Sequence, residues 1–117
     1  MHNFKELKVW QAAIEISKGV FAASRLFPSE EKFTLTSQMM RCAISIPSNI
    51  AEGCGRKSNK EFSQYLNISL GSAFELETQL ILAKEFNYLT ETNFNTLQLQ
   101  IIEVQRMIGG LQRSLNT

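Results

Sequence analysis

Apolar residues in this chain recur at alternating intervals of four and three, a rhythm that confines it to helices with one buried seam each. In the first stretch Val9, Ala13, Ile16, Val20, Ala23 and Phe27 keep the rhythm, while Trp10, Ile14 and Phe21 widen the stripe. Met39, Ala43, Ile46 and Ile50 carry it in the second stretch, and Phe62, Leu66, Ala73, Leu76, Leu80 and Ala83 in the third. Leu97, Ile101, Val104, Ile108, Leu111 and Leu115 repeat it in the fourth. No strand-like alternation competes. Four seams with short connections predict an all-α protein, an antiparallel up-down-up-down four-helix bundle. At 117 residues there is enough chain for one continuous core, so residues 1–117 read as a single domain.

The punctuation between seams is local chemistry. Asn3 with Glu6 suits a helix start, and Pro28 ends the first helix because it lacks a backbone donor. Ser29, Glu30 and Glu31 read as a cap and an acidic first turn, so the second helix begins between Ser29 and Thr36. It runs to about Gly53 or Gly55, which suit a left-handed cap. Pro47 lies inside it, but the apolar pattern crosses Pro47 in phase, which predicts one kinked helix. Ser58 with Glu61 forms a capping box for the third helix, Asn87 suits its left-handed end, and Thr90 to Asn93 open the fourth. Gly109 and Gly110 are expected to loosen the last turns.

Twelve Lys and Arg against eleven acids leave a formal charge of +1, a poor electrostatic case for nucleic acid. Every acid is Glu, which tolerates helix interiors better than Asp. Cys42 and Cys54 fall in one predicted helix about 18 Å apart, beyond the reach of a disulfide. They read as reduced, partly buried thiols. No apolar run approaches a membrane span, and the opening residues lack the layout of a secretion signal. The expected location is the cytoplasm.

The third helix is apolar nearly all round. Leu66, Ala73 and Leu80 define one side, Leu70, Phe74 and Ile81 another, and Ile68, Leu82 and Phe86 a third. Such a helix is normally buried all round, and a lone four-helix bundle cannot do that. The surplus therefore points to covering by another copy of the chain. On the second helix Gln38, Arg41, Ser45, Asn49, Glu52 and Arg56 share a stripe about 80° wide. The stripe reads as a solvated face, as inter-subunit hydrogen bonds, or as a ligand-facing surface. Ser and Asn are poor choices for an exposed helix interior, and Arg without Lys suits fixed hydrogen-bond geometry. Glu75 joins this candidate polar network, as does Glu77, which turns toward Leu66 and Leu70. A buried Glu77 needs a partner, with Lys84, Arg41 or a neighbouring subunit as candidates; otherwise it reaches water.

Catalytic chemistry finds little support. His2 is the only histidine, too few for the usual metal sites of helix bundles or for a nucleophile–histidine pair. Glu52, Glu61, Glu75 and Glu77 could form a carboxylate pair, but glutamates on long helices are mostly solvated or structurally paired. The run Gly53 to Ser58 lacks the spacing of a phosphate loop and has no preceding strand. Arg56, Lys57 and Lys60 nevertheless cluster at a helix N-terminus, which favours anions. These readings point to a protein with no enzymatic activity, no metal and no cofactor.

The opening Phe4-Lys5-Glu6-Leu7-Lys8-Val9-Trp10-Gln11 resembles the four-helix-bundle proteins encoded in 23S ribosomal-RNA intervening sequences. So do Ser37-Gln38, Arg41, Ser45-Ile46, the run Asn49 to Gly53, Gly55-Arg56, Ser58, Glu61-Phe62, Gly71-Ser72 and the run Glu75 to Leu80. The resemblance implies an antiparallel bundle assembled as a ring-like homopentamer, with no accepted enzymatic activity. Accessory proteins of diversity-generating retroelements look similar, and they bind nucleic acid and a reverse transcriptase through a basic pentameric surface. This chain departs from the pattern at Met40-Arg41, where many members carry paired arginines, and at Asn87, where a glycine is usual. The resulting expectation is a homopentameric binding or scaffold module for RNA, DNA or a protein partner. Arg41, Arg56, Lys57 and Lys60 are its candidate nucleic-acid contacts. The rival is a protein-only adaptor ring whose polar stripe builds the assembly.

Overall fold

A computed structural model describes residues 3–116. Its long elements are α1 (Lys8–Ser24), α2 (Leu35–Cys54), α3 (Asn59–Glu85) and α4 (Glu91–Leu115). Short 3-10 turns at Phe4–Glu6 and Ser29–Glu31 precede α1 and α2. Each helix packs on the next and α4 returns to α1, closing the predicted four-helix bundle with no strand among the described residues. The seams meet in its centre: Ile16, Met39, Ile46, Leu66, Leu76, Leu80, Ile101 and Ile108 are wholly shielded from solvent. Leu111 and Leu115, at the end of the α4 seam, are only half-buried.

Several helix ends follow the local chemistry. Ser58 Oγ accepts from the Glu61 amide at 3.1 Å, and Thr90 Oγ1 accepts from the Asn93 amide at 3.1 Å. Asn87 adopts φ 65°, and the amides of Asn87 and Tyr88 donate back to the carbonyls of Lys84 and Ala83 at 2.9 Å. That pairing satisfies two carbonyls at the end of α3, and Asn bears the left-handed turn at little steric cost.

Elsewhere the ends differ from expectation. Asn3 caps the first 3-10 turn through the Lys5 amide, and α1 starts at Lys8 without a side-chain cap. The helix stops at Ser24, before Pro28 can act on it. Ser29, Glu30 and Glu31 form a separate turn instead of the first turn of α2, which opens at Leu35, inside the expected interval from Ser29 to Thr36. Gly53 lies inside α2 and Gly55 is right-handed at φ −83°, so neither is the left-handed cap expected. The turn instead closes through right-handed bonds from the Gly55 amide to Glu52 and the Arg56 amide to Gly53. Gly109 and Gly110 lie within α4, which continues to Leu115 as the apolar seam expects.

Glu31 ties one end of the bundle together. Its carboxylate accepts from the Thr34 hydroxyl, from the Tyr88 hydroxyl at 2.8 Å, and from the Leu35 amide at 3.4 Å. These donors, Thr34 foremost, hold the Glu31 carboxyl below its ordinary value of 4.5. A depressed carboxyl contributes stability above its unfolded pKa and loses it as pH falls through the folded value. Acidification below pH about 4.5 should therefore lower the melting temperature of the wild type more than that of Glu31→Gln. Parallel acid titrations of the two melting temperatures would contradict this role.

Pro47 is accommodated from outside its own helix. Lacking an N–H, it cannot serve the Ala43 carbonyl one turn earlier. Ser17 Oγ, from α1, donates to that carbonyl at 2.7 Å, with the Ala13 carbonyl as a second acceptor at 2.9 Å. The helix runs through Pro47 without a break, as the apolar pattern predicts.

Candidate assembly and binding surfaces

The centre of the polar stripe on α2 faces α3 of the same chain. Asn49 Nδ2 donates to the Ser45 carbonyl at 2.9 Å and to Ser45 Oγ at 3.0 Å. Ser72 Oγ donates to Ser45 Oγ at 2.8 Å, and the buried Ser69 Oγ donates to the Ile46 carbonyl at 2.9 Å. Small hydroxyls let two backbones approach, and each of these side chains finds a hydrogen-bond partner there. This intrachain clasp explains Ser and Asn at positions where a solvated face would carry Lys or Glu. It was not among the readings of the stripe from sequence, because the rotation of α2 against α3 has no local signature.

The ends of the stripe are exposed. Gln38 and Arg41 lie at one end, and Glu52 pairs with Arg56 at 2.5 Å at the other. The Arg56 guanidinium also stacks on the Tyr65 ring, 4.8 Å from its centroid. Lys57 and Lys60 are exposed in the adjoining turn and first turn of α3, and form no ion pair among the described residues. Arg41 lies about 22 Å up the axis from Arg56 by helix rise. The structure thus gathers Arg56, Lys57 and Lys60 at one corner and leaves Arg41 away from them.

Glu77 is half-buried and accepts from Gln105 Nε2 of α4 at 2.8 Å. Within the chain neither Lys84 nor Arg41 is that partner; the Lys84 ammonium instead lies 4.7 Å from the Phe94 ring centroid. The carboxylates do not pair. Glu52 holds Arg56, Glu61 accepts from the Ser58 hydroxyl, and Glu77 has its glutamine. Glu75 is exposed but close enough to act on Cys42, whose thiol is pushed up chiefly by burial and then by that negative charge. A thiol held protonated is a poor nucleophile. Both cysteines are buried and neither is in a disulfide, and no trio of His, Cys, Asp or Glu among the described residues could hold a metal. His2 lies outside the described residues.

Large apolar side chains also remain exposed outside the core. On the outer side of α3, Ile68, Phe74, Ile81, Leu82 and Phe86 are between 41% and 52% exposed. A second apolar surface follows the groove between α1 and α2, lined by Trp10, Ile14, Phe21, Met40, Ile44 and Ala51. Its signal was present in the widened stripe of the first helix, but Ile44 and Ala51 had no counterpart in the α2 seam. No described helix is long and apolar enough to cross a membrane.

These elements define a four-helix bundle whose chemistry lies in its surfaces. Residues 5–110 match the 23S rRNA-intervening sequence protein family, and the chain belongs to that family. It is also similar to a crystal structure of a protein with unknown function from the S23 ribosomal protein family of Bacteroides thetaiotaomicron VPI-5482. That likeness has a TM-score of 0.83 at 24% identity, covers 90% of this chain and 95% of the other, and bears on the fold. No curated protein matches the chain.

Proposed function

We propose that this chain is a non-enzymatic, homo-oligomeric scaffold that holds a macromolecular partner, either RNA or DNA or another protein. The observation that carries the reading is the pair of apolar surfaces left over after the core has closed. Many large apolar side chains left in contact with solvent are a usual mark of an association surface. Five copies is the number that the family resemblance implies. The cytoplasm suits two buried cysteines that form no disulfide.

For a nucleic-acid partner, Arg56, Lys57 and Lys60 supply the phosphate contacts, and repetition around an assembly makes weak contacts add. Arg41 would contribute from a separate position. Light scattering should give a mass of several chains. An RNA shift assay across a salt series should show binding that weakens with salt and is lost when these four residues become Ala. Unchanged binding by that variant rejects the site.

The protein-only adaptor is favoured by a specific observation: Arg56 is already engaged by Glu52 and Tyr65. It expects light scattering to give several chains while the RNA shift assay shows no salt-dependent binding.

A further inference from the structure

The groove between α1 and α2 is continuous. One half is walled by Phe21 and Met40, the other by Trp10, Ile44 and Ala51, and Ile14 and Ser17 belong to both. Phe21 and Ile44 are 53% and 54% exposed, so the groove is open to a partner. Its border is basic. Lys18 lines it, the Arg25 guanidinium sits 5.6 Å from the Phe21 ring centroid, and Arg41 precedes Ile44 by one turn. At the far end the Lys5 ammonium lies 6.0 Å from the Phe4 ring, which packs edge-on against Trp10 at 5.3 Å. No carboxylate lines the groove among the described residues. Lys18 pairs with Glu15 at 3.3 Å, but both side chains are well exposed, so solvent screens that pair. Glu52, another nearby acid, is held by Arg56.

Resting on the scaffold reading above and naming its protein partner, we propose that this groove seats an amphipathic helix of a different protein, apolar on one stripe and acidic beside it. The floor selects a helix. An extended segment would bring unpaired backbone N–H and C=O groups into a groove whose only hydroxyls are Ser17 and Ser48. The Ser17 proton is already given to the carbonyls of Ala43 and Ala13. A helix pairs its own backbone and enters with side chains alone. The groove from Met40 to Ala51 is about 17 Å long by helix rise, about three turns, which suits apolar anchors at i, i+4 and i+7. The border selects the sign, since acids beside the stripe meet Lys18, Arg25 and Arg41. The other helices of this chain mix their charges. Lys60 and Lys84 stand on α3 beside its glutamates, and on α4 Arg106 follows the exposed Leu99 two turns later on the same face.

The test uses Trp10, the only tryptophan in the sequence, as a reporter inside the groove. A synthetic helix of about 20 residues without Trp, with Leu along one stripe and Glu beside it, is titrated against the full chain. The control peptide carries Lys in place of Glu. The acidic peptide should shift Trp10 emission saturably and bind about tenfold or more tighter than the control, with the gap narrowing as salt rises. Ile44→Glu should abolish the shift, and Arg25→Glu with Arg41→Glu should reverse the preference. All three positions are exposed, so the variants should keep the helical circular dichroism. If Ile44→Glu lost that signal, Phe21→Glu would replace it. Equal affinities, no shift, or a preference unchanged by the reversed border overturns the proposal. Light scattering separates it from the reading beneath it. Binding that leaves a mass of several chains supports the partner site, whereas binding that lowers the mass to one chain puts a second copy in the groove and overturns it. A wild type of one chain that still binds the acidic peptide overturns self-association and leaves the partner helix standing.

Discussion

Ser17→Ala should destabilise the bundle by about 1–3 kcal/mol, the cost of leaving a buried acceptor without a donor. The acceptor is the Ala43 carbonyl, orphaned because Pro47 has no N–H to offer it. Ser17 Oγ lies 2.7 Å away and supplies that donor from α1. In a Pro47→Ala background the backbone amide returns, and the loss from Ser17→Ala should shrink by about 1 kcal/mol or more. Urea unfolding of the two single variants, the double variant and the wild type gives the coupling directly. Equal losses in both backgrounds would show that the serine acts by something other than this carbonyl.

Gly53→Ala should also destabilise, although glycine-to-alanine changes inside helices usually stabilise by about 0.5–1 kcal/mol. A Cβ at Gly53 would stand 2.8 Å from Phe62 Cδ1 and Tyr65 Cβ, and 3.2 Å from the Phe62 carbonyl oxygen. Two of those atoms belong to or adjoin backbone, so relief requires α2 and α3 to part. Overpacking of this kind costs about 1–3 kcal/mol and outweighs the gain in helix propensity. Gly71 gives the opposite sign, because a Cβ there meets nothing within 4 Å. Thermal melts should therefore show Gly53→Ala below the wild type and Gly71→Ala above it. Equal gains at both sites would mean that α2 and α3 are not in close contact at Gly53.

What the sequence made legible was whatever depends on spacing along one helix. The first three seams are buried as expected, and α3 is left with the apolar residues that its helical wheel could not place inside one bundle. Caps at Ser58, Asn87 and Thr90 were also legible, since each bonds within a few residues of itself. Gly53 and Gly55 were misread because glycine marks either a left-handed turn or a close approach, and the sequence does not distinguish them. At Gly53 the close approach applies. Partners across helices were the least legible. Ser72 for Ser45, Gln105 for Glu77 and Ser17 for Ala43 all depend on how two cylinders are rotated against each other. The basic residues divide likewise: Arg56, Lys57 and Lys60 are neighbours in sequence and stay together, whereas Arg41 lies apart from them along α2.

The loan of a serine proton across the bundle bears on how the protein folds. Without α1 docked, the middle of α2 is left with a carbonyl that can be satisfied only by water, so that helix is not an independent building block. Winding of α2 and arrival of α1 become one event, and amides on both sides of Pro47 should exchange with solvent only when α1 lifts away.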